Sequence, residues 1–265
     1  MNKKSLFAFI VLIGCILLLI GSYMQWKGNI SSVGENSTTP ISSSSKNSDK
    51  KSDDTVKPEL DVKRLLSLTS NANEQVQDVF SNRLESGEKV NFLITGSTLL
   101  DSGKPGYGER LNNALKEAYG EAVTVKIEGF DGTSEEFLEE KIDLNPGYDI
   151  VLLEPFTLKN NGIVSIDDEH QHIKSFKKLL TNQTEDAVVV LHPPNPIYAA
   201  AYYPQQVSAL KSFAELEGIP YVDHWKQWPD PTTDEISAYL VDEGAPNKDG
   251  VEIWANALID YFIAK

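Results

Sequence analysis

Ile150-Val151-Leu152-Leu153-Glu154-Pro155-Phe156-Thr157 is the stretch whose reading decides the fold. Four large apolar residues in a row do not alternate with polar ones, as a strand wetted on one face would. They describe a strand buried on both faces, and the following carboxylate and proline bring it to a stop. The same reading extends outward in both directions. Val90–Thr95 and Val123–Ile127 precede it as strands, Ala187–Leu191 follows it, and Tyr221-Val222 reads as a short fifth strand.

Helical stripes fill the intervals. Val76, Val79, Phe80 and Leu84 predict a lead-in helix ending near Gly87, and Leu111, Ala114, Leu115 and Ala118 predict the next. A short helix is expected around Phe137-Leu138. Ser165-Ile166-Asp167-Asp168 reads as a capping box opening a helix that carries Ile173, Phe176, Leu179 and Leu180. Pro204, near a helix start, precedes Val207, Leu210 and Phe213, and a final helix runs over Val251, Trp254, Leu258 and Phe262. Buried strands alternating with helices predict an α/β domain: a three-layer α/β/α, doubly wound, five-stranded parallel sheet with right-handed crossovers.

Before this domain, residues 59–265, the chain changes character twice. Leu6 to Met24 is apolar and uncharged over 19 residues, which at 1.5 Å each spans roughly 28 Å, close to a bilayer's hydrocarbon core. Lys3 and Lys4 precede it, so residues 1–27 read as one transmembrane helix with its N-terminus cytoplasmic and the domain extracytoplasmic. Leu12-Ile13-Gly14-Cys15 offers an alternative, a lipoprotein lipidated at Cys15. The apolar run Ile16 to Ile20 after that cysteine argues against it, and no small-x-small site marks a cleaved signal. Residues 28–58 are rich in Ser, Thr, Asn and Lys, including Ser42 to Ser45, and read as a disordered tether. Cys15 is the sole cysteine, so the domain has neither a disulfide nor thiol chemistry. A net charge of −15 argues against nucleic acid as a partner.

Ligands of doubly wound sheets bind beyond the strand C-termini, so the turns there carry the functional information. After strand one comes Gly96-Ser97-Thr98-Leu99. After strand two comes Gly129-Phe130-Asp131-Gly132-Thr133-Ser134. Glu154-Pro155-Phe156-Thr157 follows strand three, with Asn160-Asn161-Gly162 beyond it. Asp242-Glu243-Gly244-Ala245-Pro246-Asn247-Lys248-Asp249-Gly250 precedes the last helix.

Over roughly residues 88–264, this ordered set resembles the SGNH/GDSL hydrolase family, whose domains have a flavodoxin-like strand order. The resemblance implies an esterase or acyltransferase acting on lipids, acetylated glycans or cell-wall polymers. It implies a nucleophile at Thr98, where the family has serine, and a triad aspartate at Asp242. Gly132 falls on the oxyanion glycine. The histidine position, three residues after Asp242, is Ala245. The third turn lacks the usual asparagine, for which Asn160 or Asn161 would have to substitute. A threonine hydroxyl without a neighbouring base is a poor nucleophile, so the usual triad is absent as written.

Other residues bear on the gap. Glu154 ends a strand that lies beside strand one in the family's order, which places its carboxylate near Thr98 or makes it an acceptor for backbone N–H groups. Ser97 is the attacking hydroxyl if the turn shifts by one residue; otherwise it bonds local backbone. His192 and His224 follow strands and are secondary candidates for the base, against a scaffold role. His170 and His172 are two apart on a helix and do not share a face, so no metal site is expected. Trp225, Trp228, Tyr202 and Tyr203 line either a sugar-binding cleft or the core. The expectation is a membrane-anchored extracytoplasmic acyl-ester hydrolase or O-acyltransferase without cofactor, acting on cell-envelope glycan or an acyl-ester small molecule. The alternative is a catalytically degenerate accessory module that binds envelope glycan or a partner enzyme.

Overall fold

The computed structural model describes residues 61–265 except 141, 242 and 243. The anchor over 1–27 and the tether over 28–58 therefore lie outside the described residues. Among the described residues no helix is long and apolar enough to cross a membrane.

In chain order the elements are α1 (Val62–Ser67), α2 (Glu74–Glu85), β1 (Val90–Ser97), α3 (Tyr107–Tyr119), β2 (Val123–Phe130), α4 (Ser134–Glu139) and β3 (Ile150–Leu153). They continue with α5 (Thr157–Asn160), α6 (Ile166–Gln183), β4 (Val188–Leu191), α7 (Tyr203–Leu216) and α8 (Lys248–Phe262). All strand pairs are parallel, in the order β2-β1-β3-β4. The fifth strand expected at Tyr221-Val222 is reduced to a single parallel bridge, Leu191 to Tyr221. The reason is local: after Val222 the chain turns at once into the short 3-10 helix His224–Gln227.

The non-alternating strands do bury both faces. Phe92, Ile94, Ile150, Leu152, Val188 and Val190 pack against α2, α3 and α8. Leu93, Val151, Leu153, Val189 and Leu191, the residues in between, pack against α4, α6 and α7. Each such side chain fully removed from water contributes about 1.5–3 kcal/mol, which is why consecutive apolar residues hold a strand at the centre of three layers.

Two details of the helices differ from expectation. Ser165 caps α6 through Asp168 N–H, but its hydroxyl donates to the Asp168 carboxylate, so the reciprocal half of the box is missing. The complete capping box is Thr133 with Glu136, at the start of α4. Leu179, placed on the apolar stripe of α6, is about half exposed.

Candidate active site

β1 delivers its turn to the C-terminal edge of the sheet, with Ser97 in register with Phe130 at the end of β2. Ser97 is still a strand residue and is buried; Thr98 opens the 3-10 turn Thr98–Asp101 and is exposed. Of the two candidate nucleophiles in this turn, only Thr98 is therefore accessible. The Ser97 N–H donates to Glu154 Oε2 at 2.9 Å, and its hydroxyl lies against the same carboxylate without a well-aligned bond.

Glu154 is fully buried at the end of β3. Its second oxygen accepts the Phe156 N–H at 2.8 Å. Burial pushes its carboxyl above the usual glutamate range, and the hydrogen bonds from Ser97 and Phe156 oppose that rise. Each oxygen is thus committed to a main-chain donor, which makes Glu154 a structural acceptor. Phe156 has φ 66°, left-handed for a bulky residue, and its bond to Glu154 holds the turn there. The close approach of the two strand ends also explains Gly96. A Cβ there would lie 2.6 Å from Glu154 Cβ. Gly96→Ala is expected to cost about 1–3 kcal/mol by forcing the ends apart, as a lowered urea midpoint at constant m-value.

Asn160 is fully buried and fully engaged. Its side-chain carbonyl accepts the Ser134 N–H at 2.9 Å, and its amide donates to Glu169 Oε2 at 2.6 Å and to the Pro155 carbonyl at 3.4 Å. Both amide protons are used internally and neither is offered to an oxyanion. Asn161 caps α5 and is exposed. Gly132 is half-buried, and a Cβ would sit 2.5 Å from the Phe130 ring and 2.8 Å from Glu136 Oε2. Asp242 lies outside the described residues. The Ala245 carbonyl accepts the Val241 N–H in a short loop closed by the antiparallel bridge Leu240 to Pro246.

The two secondary histidines belong to a buried aromatic cluster. His224 Nε2 donates to the Pro193 carbonyl at 2.7 Å and Nδ1 accepts from Trp228 Nε1, which leaves a neutral ring with both nitrogens used. That ring stacks on Trp254 at 4.8 Å, and burial pushes its pKa down to about 4. His192 Nδ1 faces Trp254 Nε1 and the Pro193 carbonyl, and burial with the neighbouring His224 lowers its pKa well below the usual histidine value. Neither histidine is hydrogen-bonded to Thr98. Tyr203 and Trp228 are buried too, so of the four aromatic residues considered for a sugar cleft only Tyr202 and part of Trp225 reach the surface.

The structure forms one pair that the sequence reading did not assemble. Ser134 Oγ and His172 Nδ1 are 2.8 Å apart, joining the first residue of α4 to the middle of α6. The usable signal was helical: Glu169, His172 and Phe176 are spaced at three and four residues, on the face of α6 turned toward α4. A broad polar hollow lined by Arg83, Asn91, Asp149 and Asp186 lies at the opposite, N-terminal end of the strands, away from the edge where such sheets bind ligands.

No family model matches the chain, and no curated protein matches it. Solved structures do. An acetylxylan esterase from Geobacillus stearothermophilus is 16% identical, with TM-score 0.53, covering 65% of this chain and 94% of that one. A putative GDSL-like lipase from Parabacteroides merdae is 13% identical with TM-score 0.55, covering 66% and 95%. An alpha/beta hydrolase from the metagenome of Lake Arreo, Spain, is 16% identical with TM-score 0.53, covering 65% and 94%. The chain thus has the SGNH/GDSL α/β fold, a parallel sheet covered by helices on both sides, as the turn sequences implied.

Proposed function

We propose that this protein is an acyl-ester hydrolase or O-acyltransferase, held to the cell membrane by residues 1–27 and acting on acylated glycan or lipid of the cell envelope. The observation that carries the reading is the convergence of the first two turns on one edge of an esterase-type sheet. There Gly96-Ser97-Thr98 and Gly129 to Ser134 stand side by side. The neighbours of this fold include an acetylxylan esterase and a putative lipase, which supports acyl esters of polysaccharide or lipid as the substrate class. The apolar N-terminal segment and its two preceding lysines support the envelope location.

A second reading, a catalytically degenerate accessory module that binds envelope glycan or a partner enzyme, is favoured by a specific set of contacts. Ala245 replaces the expected base, His224, Glu154 and Asn160 are engaged internally, and His192 is fully buried with Nδ1 bonded to Trp254.

Acetate release by the full-length protein in detergent micelles, from p-nitrophenyl acetate and from O-acetylated envelope glycan, tests the pair of readings. Turnover above the protein-free blank is expected. No turnover in the parent, with turnover gained in a Thr98→Ser/Ala245→His double variant, establishes the accessory reading instead. A cell fractionation in which the protein leaves with the soluble fraction defeats the anchor.

A further inference from the structure

We infer that Ser134 and His172 form a nucleophile–base pair for small acyl esters, an inference that rests on the acyl-ester reading above. Their 2.8 Å bond is the only hydroxyl–imidazole hydrogen bond among the described residues. The hydroxyl is not used in capping, because the preceding Thr133 caps α4. It is therefore free to donate to Nδ1, the arrangement that a nucleophile–base pair requires. Ser134 is itself buried, about 4% exposed, and is approached from the side of the half-buried His172 ring, which still reaches the surface.

The pair is held from behind. Asn160 accepts the Ser134 N–H and donates to Glu169, and Glu169 lies one turn before His172 on α6 and also accepts from Thr157 Oγ1 at 2.8 Å. One buried network thus anchors the backbone of the serine and the helix of the histidine, the support a reactive pair needs to keep its geometry. Beside the hydroxyl is a narrow slot walled by Phe137, Leu153, Pro155, Phe156 and Phe176, with a free volume of about 10 Å³. That is room for about one water, so a long acyl chain is excluded from the slot.

Ser134 Oγ attacks the acyl carbon while its proton passes to His172 Nδ1. The tetrahedral adduct collapses, the ester C–O bond breaks, and the leaving alkoxide takes the proton from the imidazolium, leaving acetyl-Ser134. Water, deprotonated by His172, then releases acetate and restores the serine; an alcohol acceptor in its place gives acetyl transfer.

The test uses the full-length protein in detergent micelles. A fluorophosphonate probe is mapped by peptide mass spectrometry, and p-nitrophenyl acetate, butyrate and octanoate turnover is measured for the parent, Ser134→Ala, His172→Gln and Thr98→Ala. The probe is expected on the peptide holding Ser134, with acetate preferred over octanoate by more than about 10-fold. Loss of about 100-fold or more is expected in both Ser134→Ala and His172→Gln. The glutamine carbonyl still accepts the serine hydroxyl's hydrogen bond but is no base, so a folded His172→Gln with parent turnover shows a purely structural link and overturns the pair. Loss confined to Thr98→Ala overturns the pair and leaves the esterase reading standing. Probe on Ser134 without ester turnover upholds the pair and overturns that reading, and neither label nor turnover overturns both.

Discussion

Glu154→Ala is expected to destabilise the domain by about 3–5 kcal/mol, read as the loss in unfolding free energy from urea titration followed by tryptophan fluorescence. The carboxylate is the junction between β1 and the third turn, accepting one N–H from Ser97 and one from Phe156. Alanine leaves both donors buried without an acceptor, at about 1–3 kcal/mol each. It also releases Phe156 from the bond that holds its left-handed backbone. Relief from burying an ionisable group offsets part of this. Glu154→Gln retains one acceptor oxygen and is expected to cost about half as much. Domains of this kind are stable by about 5–15 kcal/mol, so the alanine variant loses a large fraction of that margin. An unfolding curve unchanged in Glu154→Ala would sink the account of this residue as a structural acceptor and reopen a role in chemistry.

The second large effect is on pH. Burial pushes the Glu169 carboxyl from its ordinary 4.5 to about 7, opposed by the hydrogen bonds from Asn160 and Thr157 and assisted by the charge of Glu154. Between those two values the folded protein keeps a proton that the unfolded chain has released. The folded state therefore binds more protons there, and stability falls as pH rises. The stabilisation is complete below about pH 4.5 and is lost as pH rises to about 7, by a total of about 3 kcal/mol. Glu169→Gln has no proton to lose. The difference in unfolding free energy between parent and Glu169→Gln should therefore favour the parent by about 3 kcal/mol more at pH 4.5 than at pH 8. Equal differences at the two pH values would mean that Glu169 titrates normally despite its burial. Because Glu169 holds Asn160, and Asn160 holds the Ser134 N–H, the same titration acts on the support of the Ser134–His172 pair.

The layers were legible because burial on both faces leaves a local mark. Ile150 to Leu153 and Val188 to Leu191 carry no polar residue, and the structure sends neighbouring residues of each strand into opposite cores. Tyr221-Val222 shows where such a mark weakens: two apolar residues make a bridge, and only the turn at His224 decides that they make no more. The edge that carries the turns was legible too, since it follows from parallel connectivity alone.

What the sequence determined by itself is the alternation, the parallel sheet, and the order of turns on its C-terminal edge, because apolar periodicity and turn residues act over a few neighbouring positions. What only the tertiary structure decided is which polar group meets which. His192 and His224 were candidate bases until burial beside Trp254 enclosed both rings, with Trp254 bonded to His192 Nδ1 and Trp228 and the Pro193 carbonyl taking both nitrogens of His224. Asn160 was a candidate oxyanion donor until Ser134 and Glu169 engaged it from both sides. Ser134 and His172, 38 positions apart, met because α4 and α6 pack on the same face of the sheet. Hydrogen-bond partners are selected over tenths of an ångström between segments distant in the chain, and no local pattern of residues encodes that distance.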